Sequence, residues 1–556
     1  MIDHLNATRN APFTASNERR DGAHRTLRVC VINPQFEPSF WNYDFVLPMF
    51  DGDKRCWMAS GALPLLAALA PDGVSVELLD ENVRAIDWDD LRRFDVIGVT
   101  GMIVQRRRML EILRKLESLP AIVAVGGPYV TISEDEFVGT CDVRFIGEAD
   151  DTWPDFLRAA AAGEPTAERY AQAQRTDVTK LPAPRYDLLE MGRYMSAPVQ
   201  FSRGCPFECE FCDIITIFGR RPRVKTPAQL IADVEAVRSA GARIIFLVDD
   251  NFIGNKAAAK SMLPILIAWQ RENGYPIQFS TEASVNLADE PELMELMVQA
   301  NFRQVFIGLE TPRADSLKET RKFQNTRGDS MLAKMARIRD AGLVPIGGFI
   351  VGFDNDDAAI FEEQFQFVQD SGVGQAAIAI LSPLPTTPLY DRLAAAGRLD
   401  DSDPEVAFIP AKMTQRELRE GHTALMRRLY EPEAYLGRIF KGYVESSSFR
   451  HRRARLEAEI GRTRLADRVL RTLATIRIAT RLARALVRRS LFGRFAPVYL
   501  RFYARNLALG RGAMPLHGYL GLCLTHWHFY NMAWHERKAS FGNPSIEART
   551  SLAASA

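Results

Sequence analysis

Histidine is nearly absent from the central part of this sequence. None occurs between His24 and His422, although the chain of 556 residues contains eight. Histidine is the residue most often used for general acid–base catalysis near neutral pH. Its absence over most of the chain therefore disfavours a proton-transfer enzyme and favours a chemistry that needs no imidazole.

The chain also lacks a strong net charge, a long apolar run and a disulfide-like cysteine pattern. The formal net charge is +1, which argues against a nucleic-acid binder. No run of eighteen uncharged apolar residues predicts a membrane-spanning helix, and no apolar core typical of a signal peptide occurs near the N-terminus. Seven cysteines, three of them within eight residues, indicate a reducing cytoplasm.

The length predicts several domains of α/β class rather than one core. Apolar runs alternate with helical stretches over residues 26–160, which predicts a Rossmann-like, doubly wound parallel sheet. A second alternation over 196–400 predicts six strands, and hence a partial (β/α)6 barrel. The other expected segments are a disordered start (1–25), a linker (161–195), a helical and basic C-terminal domain (401–540) and a disordered tail (541–556).

Three cysteines follow the first predicted barrel strand in F-S-R-G-C-P-F-E-C-E-F-C. Cys205, Cys209 and Cys212 have the spacing C-x3-C-x2-C. Thiolates this close must share a cation, because their mutual repulsion otherwise raises their pKa values and keeps them protonated. A cubane held by three cysteines leaves its fourth iron open to a small ligand. A zinc ion with a distant fourth ligand is one alternative, and thiols without any metal are another.

This spacing, with Phe211 before the last cysteine, resembles that of the radical S-adenosylmethionine (SAM) superfamily. The resemblance covers residues 196–400. It implies that a reduced [4Fe-4S] cluster cleaves SAM to a 5′-deoxyadenosyl radical, which abstracts a hydrogen atom from the substrate. It also implies an electron donor such as flavodoxin or ferredoxin.

Residues at the ends of the barrel strands are candidates for SAM binding. The run from Gly348 to Asn355 resembles the family's adenine-binding strand, with Asn355 replacing the final Glu, and two strand-end glutamates resemble positions for the amino and ribose groups. Solvated acids would look the same. The motif V-D-D-N-F resembles one of the cobalamin-dependent branch, although helix capping, also open to Asn255, is an alternative. The predicted SAM-binding residues are Phe211, Asp250, Asn251, Ser280, Glu282, Glu310, Gly348, Ile350 and Gly352.

A Rossmann-like domain before such a barrel resembles the cobalamin-dependent class. The motif D-x-H-x-x-G, whose histidine ligates cobalt, is absent, so the resemblance implies cobalamin without a lower histidine ligand from this domain. Glycines at strand ends would let the backbone approach a bulky corrin, and ordinary tight turns are the alternative. The predicted cobalamin-binding residues are Thr100, Gly101, Met102, Gly126, Gly127, Pro128, Gly147 and Glu148.

Three segments narrow the resemblance further: L-D-E-N-V-R-A-I-D, T-G-M-I-V-Q and P-S-F-W-N-Y-D. They resemble hopanoid C-2 methylases and related proteins. This implies a cobalamin-dependent C-methyltransferase that acts on an unactivated carbon of a hopanoid-like, other lipid or small-molecule substrate. Two alternatives remain: an enzyme that forms or oxidises a ring with the same cofactors, and a cobalamin-binding regulator without catalysis.

The C-terminal region is rich in arginine. From Ser448 to Arg511 there are seventeen arginines, no lysine and three acids. The spacing predicts amphipathic helices, which either contact an anionic membrane surface or pack on the barrel. We expect a cytoplasmic protein, with contact at the inner membrane as an alternative. The later aromatic stretch predicts an interfacial anchor or a buried helix, and its Cys523, His526 and His528 are either a weak metal cluster or aromatic packing.

Overall fold

The computed structural model of the chain describes residues 26–50, 53–403, 405–460, 476, 479–484, 487, 491–510 and 514–539. The termini predicted to be disordered, 1–25 and 541–556, lie outside the described residues, and so does most of the basic stretch between 461 and 490. The described residues form two parallel sheets with helices, a small antiparallel sheet of two strands, and a helical region that follows them. The predicted fold class is confirmed.

The N-terminal part forms a parallel sheet of six strands. Its strands are β1 (Leu27–Asn33), β3 (Val74–Asp80), β4 (Val96–Thr100), β5 (Ile122–Gly126), β6 (Val143–Ile146) and β7 (Arg169–Ala171). Its helices are α1 (Leu47–Phe50), α2 (Ala62–Ala68), α3 (Arg106–Leu116), α4 (Pro128–Ile132) and α5 (Thr152–Ala162). The spatial order β3-β1-β4-β5-β6-β7 reverses between β1 and β4, so a ligand crevice is expected at the carboxyl ends of these two strands.

A second parallel sheet, of seven strands, curls into the partial barrel. Six of its strands are β8 (Tyr194–Val199), β11 (Ile244–Leu247), β12 (Gln278–Ala283), β13 (Phe302–Glu310), β14 (Val344–Val351) and β15 (Gln375–Ile380). The last five coincide with predicted strands, whereas β8 ends at Val199, where the predicted strand V-Q-F-S begins. The alternating helices are α7 (Pro227–Ser239), α8 (Lys256–Glu272), α9 (Pro291–Gln299), α11 (Met331–Asp340) and α12 (Ile360–Ser371). Shorter elements are β9 (Ser202–Arg203), β10 (Arg223–Val224), α6 (Ile214–Ile217), α10 (Ala314–Glu319) and α13 (Pro388–Ala395). Because these strands run parallel, their carboxyl ends share one edge.

The sequence-based prediction missed β10, which pairs with β9 in a small antiparallel sheet, and two short strands of the larger sheets. β2 (Cys56–Met58) pairs in parallel with β8, so a segment of the N-terminal part adds the seventh strand to the barrel sheet. β7 lies within the predicted linker and pairs with β6 at the edge of the first sheet. Both strands have three residues, which is too short for an alternating hydrophobic pattern.

The region after the barrel is helical, as predicted. Its helices are α14 (Gln415–Leu429), α15 (Pro432–Ile439), α16 (Ser447–Ile460), α17 (Leu491–Leu507) and α18 (Leu516–Ala539). In α18, Trp527, Phe529 and Tyr530 are buried, which fits a closing helix packed on the protein. None of the helices in the described part of the chain is long and apolar enough to cross a membrane.

Candidate cofactor site

The three cysteines lie on a loop that follows β9 at the carboxyl edge of the barrel sheet. Gly204 begins this loop with a φ of +97°, and a Cβ atom there would come 2.8 Å from the carbonyl oxygen of Gly219. Asp250, which follows β11, accepts a hydrogen bond from the Gly204 amide at 2.6 Å. The neighbouring strand therefore holds the first residue of the loop, where only glycine fits.

The thiols on this loop are free and partly or fully buried. Burial raises the pKa of Cys205, and it raises the pKa of Cys212 to about 12, while nearby Cys209 acts in the same direction. The backbone amides of Phe207 and Ile214 donate to Cys205 and Cys212 and oppose this rise. Without a cation, these two thiols are therefore protonated at neutral pH, in line with the crowding argument.

Two side-chain amides also reach the sulfurs. Asn251 Nδ2 lies 3.9 Å from Cys205 Sγ, and Gln324 Nε2 lies 3.6 Å from Cys209 Sγ. No three His, Cys, Asp or Glu side chains of the described residues converge on a position for one metal ion. A cubane takes one thiolate at each of three irons, and N–H donors to sulfur stabilise that state. Three free thiols on one loop, with these donors, fit such a cluster.

The V-D-D-N-F segment after β11 supports the cysteine loop instead of capping α8. Asn255 is the residue that caps α8, through its side-chain oxygen. Asp249 accepts a hydrogen bond from the Phe201 amide at 2.8 Å and so fixes the chain just before β9. With the contacts of Asp250 and Asn251 described above, this segment ties the end of β11 to the loop. The prediction that these two side chains bind SAM itself stays open to experiment.

Glu282, at the end of β12, has a carboxylate that accepts no hydrogen bond from the residues that the structure describes. Burial, together with the charges of Asp250 and Asp249, raises its pKa to about 7. Ser280, on the same face of the strand, donates to the carbonyl oxygen of Ile245 at 3.5 Å. An unpartnered carboxylate at this edge of a barrel suits a cationic or hydroxyl-bearing ligand.

Glu310, at the end of β13, already has a partner. Its φ of +65° is rare for a residue with a side chain. Lys322 Nζ lies 2.5 Å from Glu310 Oε1, and the two side chains are 12% and 7% exposed. The same ammonium lies 5.7 Å from the centre of the Phe211 ring, within cation–π range. A ligand at Glu310 therefore meets a buried ion pair, and the sequence did not indicate Lys322.

The strand β14 carries the resemblance to an adenine-binding strand. A Cβ atom at Gly348 would come 2.5 Å from the Phe306 ring, and at Gly352, where φ is +108°, it would come 2.9 Å from a leucine of α14. Ile350 lies between the two glycines and is partly buried. Asn355, in the place of the family's Glu, donates to a glutamate of α10 at 2.7 Å. Both glycines are thus required by packing, whichever ligand this strand contacts.

The predicted cobalamin-binding residues lie at the ends of β4 and β5 and in the loops after β4, β5 and β6, on the side of the crevice away from β3. Gly127 has a φ of +100°, and a Cβ atom there would come 2.7 Å from Thr100 Oγ1 and 3.0 Å from the carbonyl oxygen of Gly101. Met102 leaves an apolar side chain 45% exposed beside them. The glycine therefore lets the loops after β4 and β5 touch.

Substitution of Gly127 by alanine is expected to destabilise the N-terminal domain and reduce cobalamin binding. Its φ and ψ of 100° and 179° are open essentially to glycine alone, and with the close contacts the loss is roughly 3 kcal/mol or more. Gly139→Ala is the matched control, because its φ is +78° but nothing lies within 4 Å of the added carbon. Denaturant titration and bound cobalamin per chain check this. Equal losses in the two variants would contradict it.

Glu148 is held by arginines of the barrel. Its Oε1 accepts hydrogen bonds from Arg203 at 2.8 Å and from Arg223 at 3.0 Å, and Arg203 also binds Asp150. Gly147, with a φ of +86°, would place a Cβ atom 2.8 Å from a glutamine side-chain oxygen. Because Arg203 directly precedes the cysteine loop, this buried network joins the loop to the first sheet.

The segment Asp80-Glu81-Asn82, from the L-D-E-N motif, fixes the loop that follows β1. Glu81 accepts a hydrogen bond from the Gln35 amide at 3.0 Å, and Asn82 accepts one from the next amide at 2.8 Å. Asp80 accepts a hydrogen bond from the hydroxyl of Tyr194, on β8, at 3.0 Å. The motif therefore shapes one wall of the crevice and ties it to the barrel.

The C-terminal histidines are explained by aromatic packing. His526 and His528 are fully buried and bond to the backbone oxygens of Tyr430 and Phe40 at 3.0 and 3.3 Å. Burial lowers the pKa of His526 to about 4 and that of His528 to about 3. With Cys523 they form no three-residue metal cluster among the described residues.

Three family models match the chain. A B12 binding domain matches residues 54–157, the Radical SAM superfamily matches residues 199–368, and a domain of unknown function (DUF4070) matches residues 387–540. The first match covers most of the first sheet and the second includes the cysteine loop. Together with the fold, they define a cobalamin-binding radical SAM enzyme whose cofactors are a [4Fe-4S] cluster, SAM and cobalamin.

Two curated relatives cover most of the chain. A protein of Synechocystis sp., named an uncharacterized methyltransferase, is 39% identical over 428 residues, which are 75% of this chain and 79% of that protein. The hopanoid C-2 methylase of Rhodopseudomonas palustris is 35% identical over 425 residues, which are 76% and 80% of the two chains. The chain belongs to the cobalamin-dependent radical SAM methyltransferases.

Solved structures show the same fold. The cobalamin-dependent SAM radical enzyme OxsB matches with a TM-score of 0.57 at 15% identity and covers 95% of this chain and 83% of its own. The radical SAM methyltransferase TsrM from Kitasatospora setae matches with a TM-score of 0.52 at 15% identity and covers 67% and 75%. Both likenesses concern the fold alone.

Proposed function

We propose that this methyltransferase transfers a methyl group to an unactivated carbon of a hopanoid-like or other lipid substrate. Cys205, Cys209 and Cys212 would hold the cluster. The observation that carries the proposal is the set of three free thiols with N–H donors on a loop at the carboxyl edge of the barrel. The bound cofactors supply the radical and the methyl group, while the protein orients the reactants and excludes water.

An aromatic surface beside the barrel interior supports an apolar substrate. Phe306 lies on β13, on the face opposite the fully buried Val305 and Ile307. Trp41 meets the Phe306 ring edge-on, with centroids 5.5 Å apart, and is still 41% exposed. Exposed aromatic surface in such a place suits an apolar ligand. The relative named hopanoid C-2 methylase supports the same substrate class.

We propose that SAM lies beside the cysteine loop with its ammonium group at Glu282. The other residues predicted to contact SAM and cobalamin remain part of this proposal. The domain limits predicted from the sequence are proposed in the same way. The unpartnered carboxylate of Glu282 is the strongest support for this position of SAM, because the Glu310 carboxylate is already paired with Lys322.

Replacement of Glu282 by glutamine is expected to weaken SAM binding roughly ten- to hundredfold, because a hydrogen bond to a charged group contributes about 1.5–3 kcal/mol. The pKa of about 7 adds a pH dependence. A cationic ligand favours the carboxylate, so wild-type affinity should rise from about pH 6 to about pH 8, and this rise should be smaller in the variant. Calorimetry checks both effects. Asp249 and Asp250, which face Glu282, are the same in the wild type and the variant. Equal pH dependence of SAM affinity in the two proteins would therefore contradict the assignment of Glu282 to the SAM ammonium group.

Anaerobic reconstitution with cobalamin, SAM and a strong reductant tests the function. Formation of both 5′-deoxyadenosine and S-adenosylhomocysteine is expected, and a lipid extract from a strain lacking the gene should gain one carbon per methylated product. Deoxyadenosine alone, with a product that has lost hydrogen, would support the ring-forming alternative. Failure to cleave SAM would support the regulator.

We propose a flavodoxin or ferredoxin as the electron donor and a cytoplasmic location, with contact at the inner membrane through the arginine-rich C-terminal helices. The free cysteines of the described residues agree with a reducing compartment. Co-sedimentation with anionic and with neutral vesicles tests the contact. Equal binding to both would contradict an electrostatic attachment.

A further inference from the structure

The connection between α10 and α11 lies directly against the cysteine loop. The Glu210 amide donates to the carbonyl oxygen of Thr320 at 3.0 Å, and Gln324 reaches Cys209 Sγ as described. Asn325 Nδ2 donates to two carbonyl oxygens of β13, both at 3.0 Å. The connection therefore links the end of β13 to the loop through buried polar groups.

Lys322 brings a buried ammonium group into this connection. It is held by Glu310 on one side and lies over the Phe211 ring, next to Cys212 in the sequence, on the other. Charges in a poorly solvated site act over several ångströms with little screening. Lys322 therefore places a buried positive charge beside the loop residue Phe211.

A cluster on three cysteines is anionic, because the thiolates outweigh the charge of the oxidised core, and reduction adds one further negative charge. A buried cation stabilises the reduced form more than the oxidised form, and an N–H donor to a coordinating sulfur does the same. Both features raise the reduction potential. The step is a single electron transfer from an external protein reductant, with no bond formed or broken.

We propose that Lys322 is a positioning residue that sets the reduction potential of the cluster, with Gln324 assisting through its contact to Cys209. The inference rests on the proposed function, because it requires a cluster on these cysteines. Glu310 then has the opposite effect, since its carboxylate offsets part of the charge of Lys322. Removing the carboxylate should therefore shift the potential in the opposite direction to removing the ammonium.

The test is a redox titration of the reconstituted holoenzyme, followed by electron paramagnetic resonance without SAM. The midpoint potential is expected to shift to a more negative value in Lys322→Met and to stay close to wild type in Lys322→Arg. Glu310→Gln is expected to shift it to a less negative value. Lys334→Met is the matched control, because Lys334 is also buried and faces a carboxylate but has no contact with the loop.

Gln324→Leu provides a second measurement if Lys322→Met does not hold its cluster, and a negative shift is expected. An unchanged potential in an intact Lys322→Met or Gln324→Leu holoenzyme would overturn the proposal, and so would an equal shift in Lys334→Met. Iron and sulfide analysis of the wild type distinguishes a protein without a cluster from a protein whose cluster is insensitive to Lys322. A wild type without a cluster would overturn the proposed function, whereas a normal cluster with an insensitive potential would overturn only the role of Lys322.

Discussion

Replacement of Cys209 by alanine is expected to abolish the iron–sulfur cluster and all reductive cleavage of SAM. A cubane held by two thiolates loses the arrangement in which one iron is left for the ligand. The buried sulfur is also the acceptor for Gln324, so its loss removes a ligand and a second contact together. Iron and acid-labile sulfide content and 5′-deoxyadenosine formation measure the effect.

The control is Cys523→Ala, which removes a buried thiol from α18, far along the chain from the loop. It should keep its iron, sulfide and turnover, apart from the modest loss of stability that a small cavity causes. Full turnover by the Cys209 variant, or equal loss of cluster in both variants, would contradict the assignment of the loop.

Replacement of Arg203 by methionine is expected to lower the free energy of unfolding by roughly 3–5 kcal/mol, because it leaves the buried Asp150 carboxylate without its cationic partner and Glu148 with Arg223 alone. The Arg203, Glu148 and Asp150 side chains are all less than 10% exposed. The network connects the first sheet with the cysteine loop, so cluster retention should fall as well. Denaturant titration and iron content measure the two effects.

Arg185→Met is the matched control. Its ion pair with Asp187 is 2.8 Å long but half exposed, so the change should be within about 1 kcal/mol. Adding Glu148→Gln and Asp150→Asn to the Arg203 variant should recover part of the loss, because the buried negative charge is then removed. A loss in Arg203→Met no larger than in the control would contradict a structural role of the network.

The sequence predicted the parts of the site that are local in the chain. The cysteine spacing and the strand that precedes it lie within a few residues of each other, and the two sheets follow from alternating apolar runs long enough to be recognised. Gly127 was predicted to let the backbone approach a corrin, which stays a prediction, whereas its close contacts with Thr100 and Gly101 became visible only in the structure.

The contacts that cross the chain could not be predicted. Gln324 lies 115 positions from Cys209, and Arg203 lies 55 positions from Glu148, so no spacing rule joins either pair. Lys322 looks like an ordinary charged residue between two helices, and only the fold shows that it is buried against Glu310. Glu148 was predicted as a loop residue for cobalamin, and its arginine partners became visible with the tertiary structure.

Although β2 belongs to the N-terminal part of the chain, it is a strand of the barrel sheet. A fragment that begins near residue 160 would contain every cysteine of the loop but would lack β2. In that fragment β8 would be an unpaired edge strand, which is a template for intermolecular pairing. A barrel expressed without the first domain should therefore aggregate during purification. Exchange of the first domain between relatives should succeed only when residues 53–58 are kept together with the barrel sheet to which they belong.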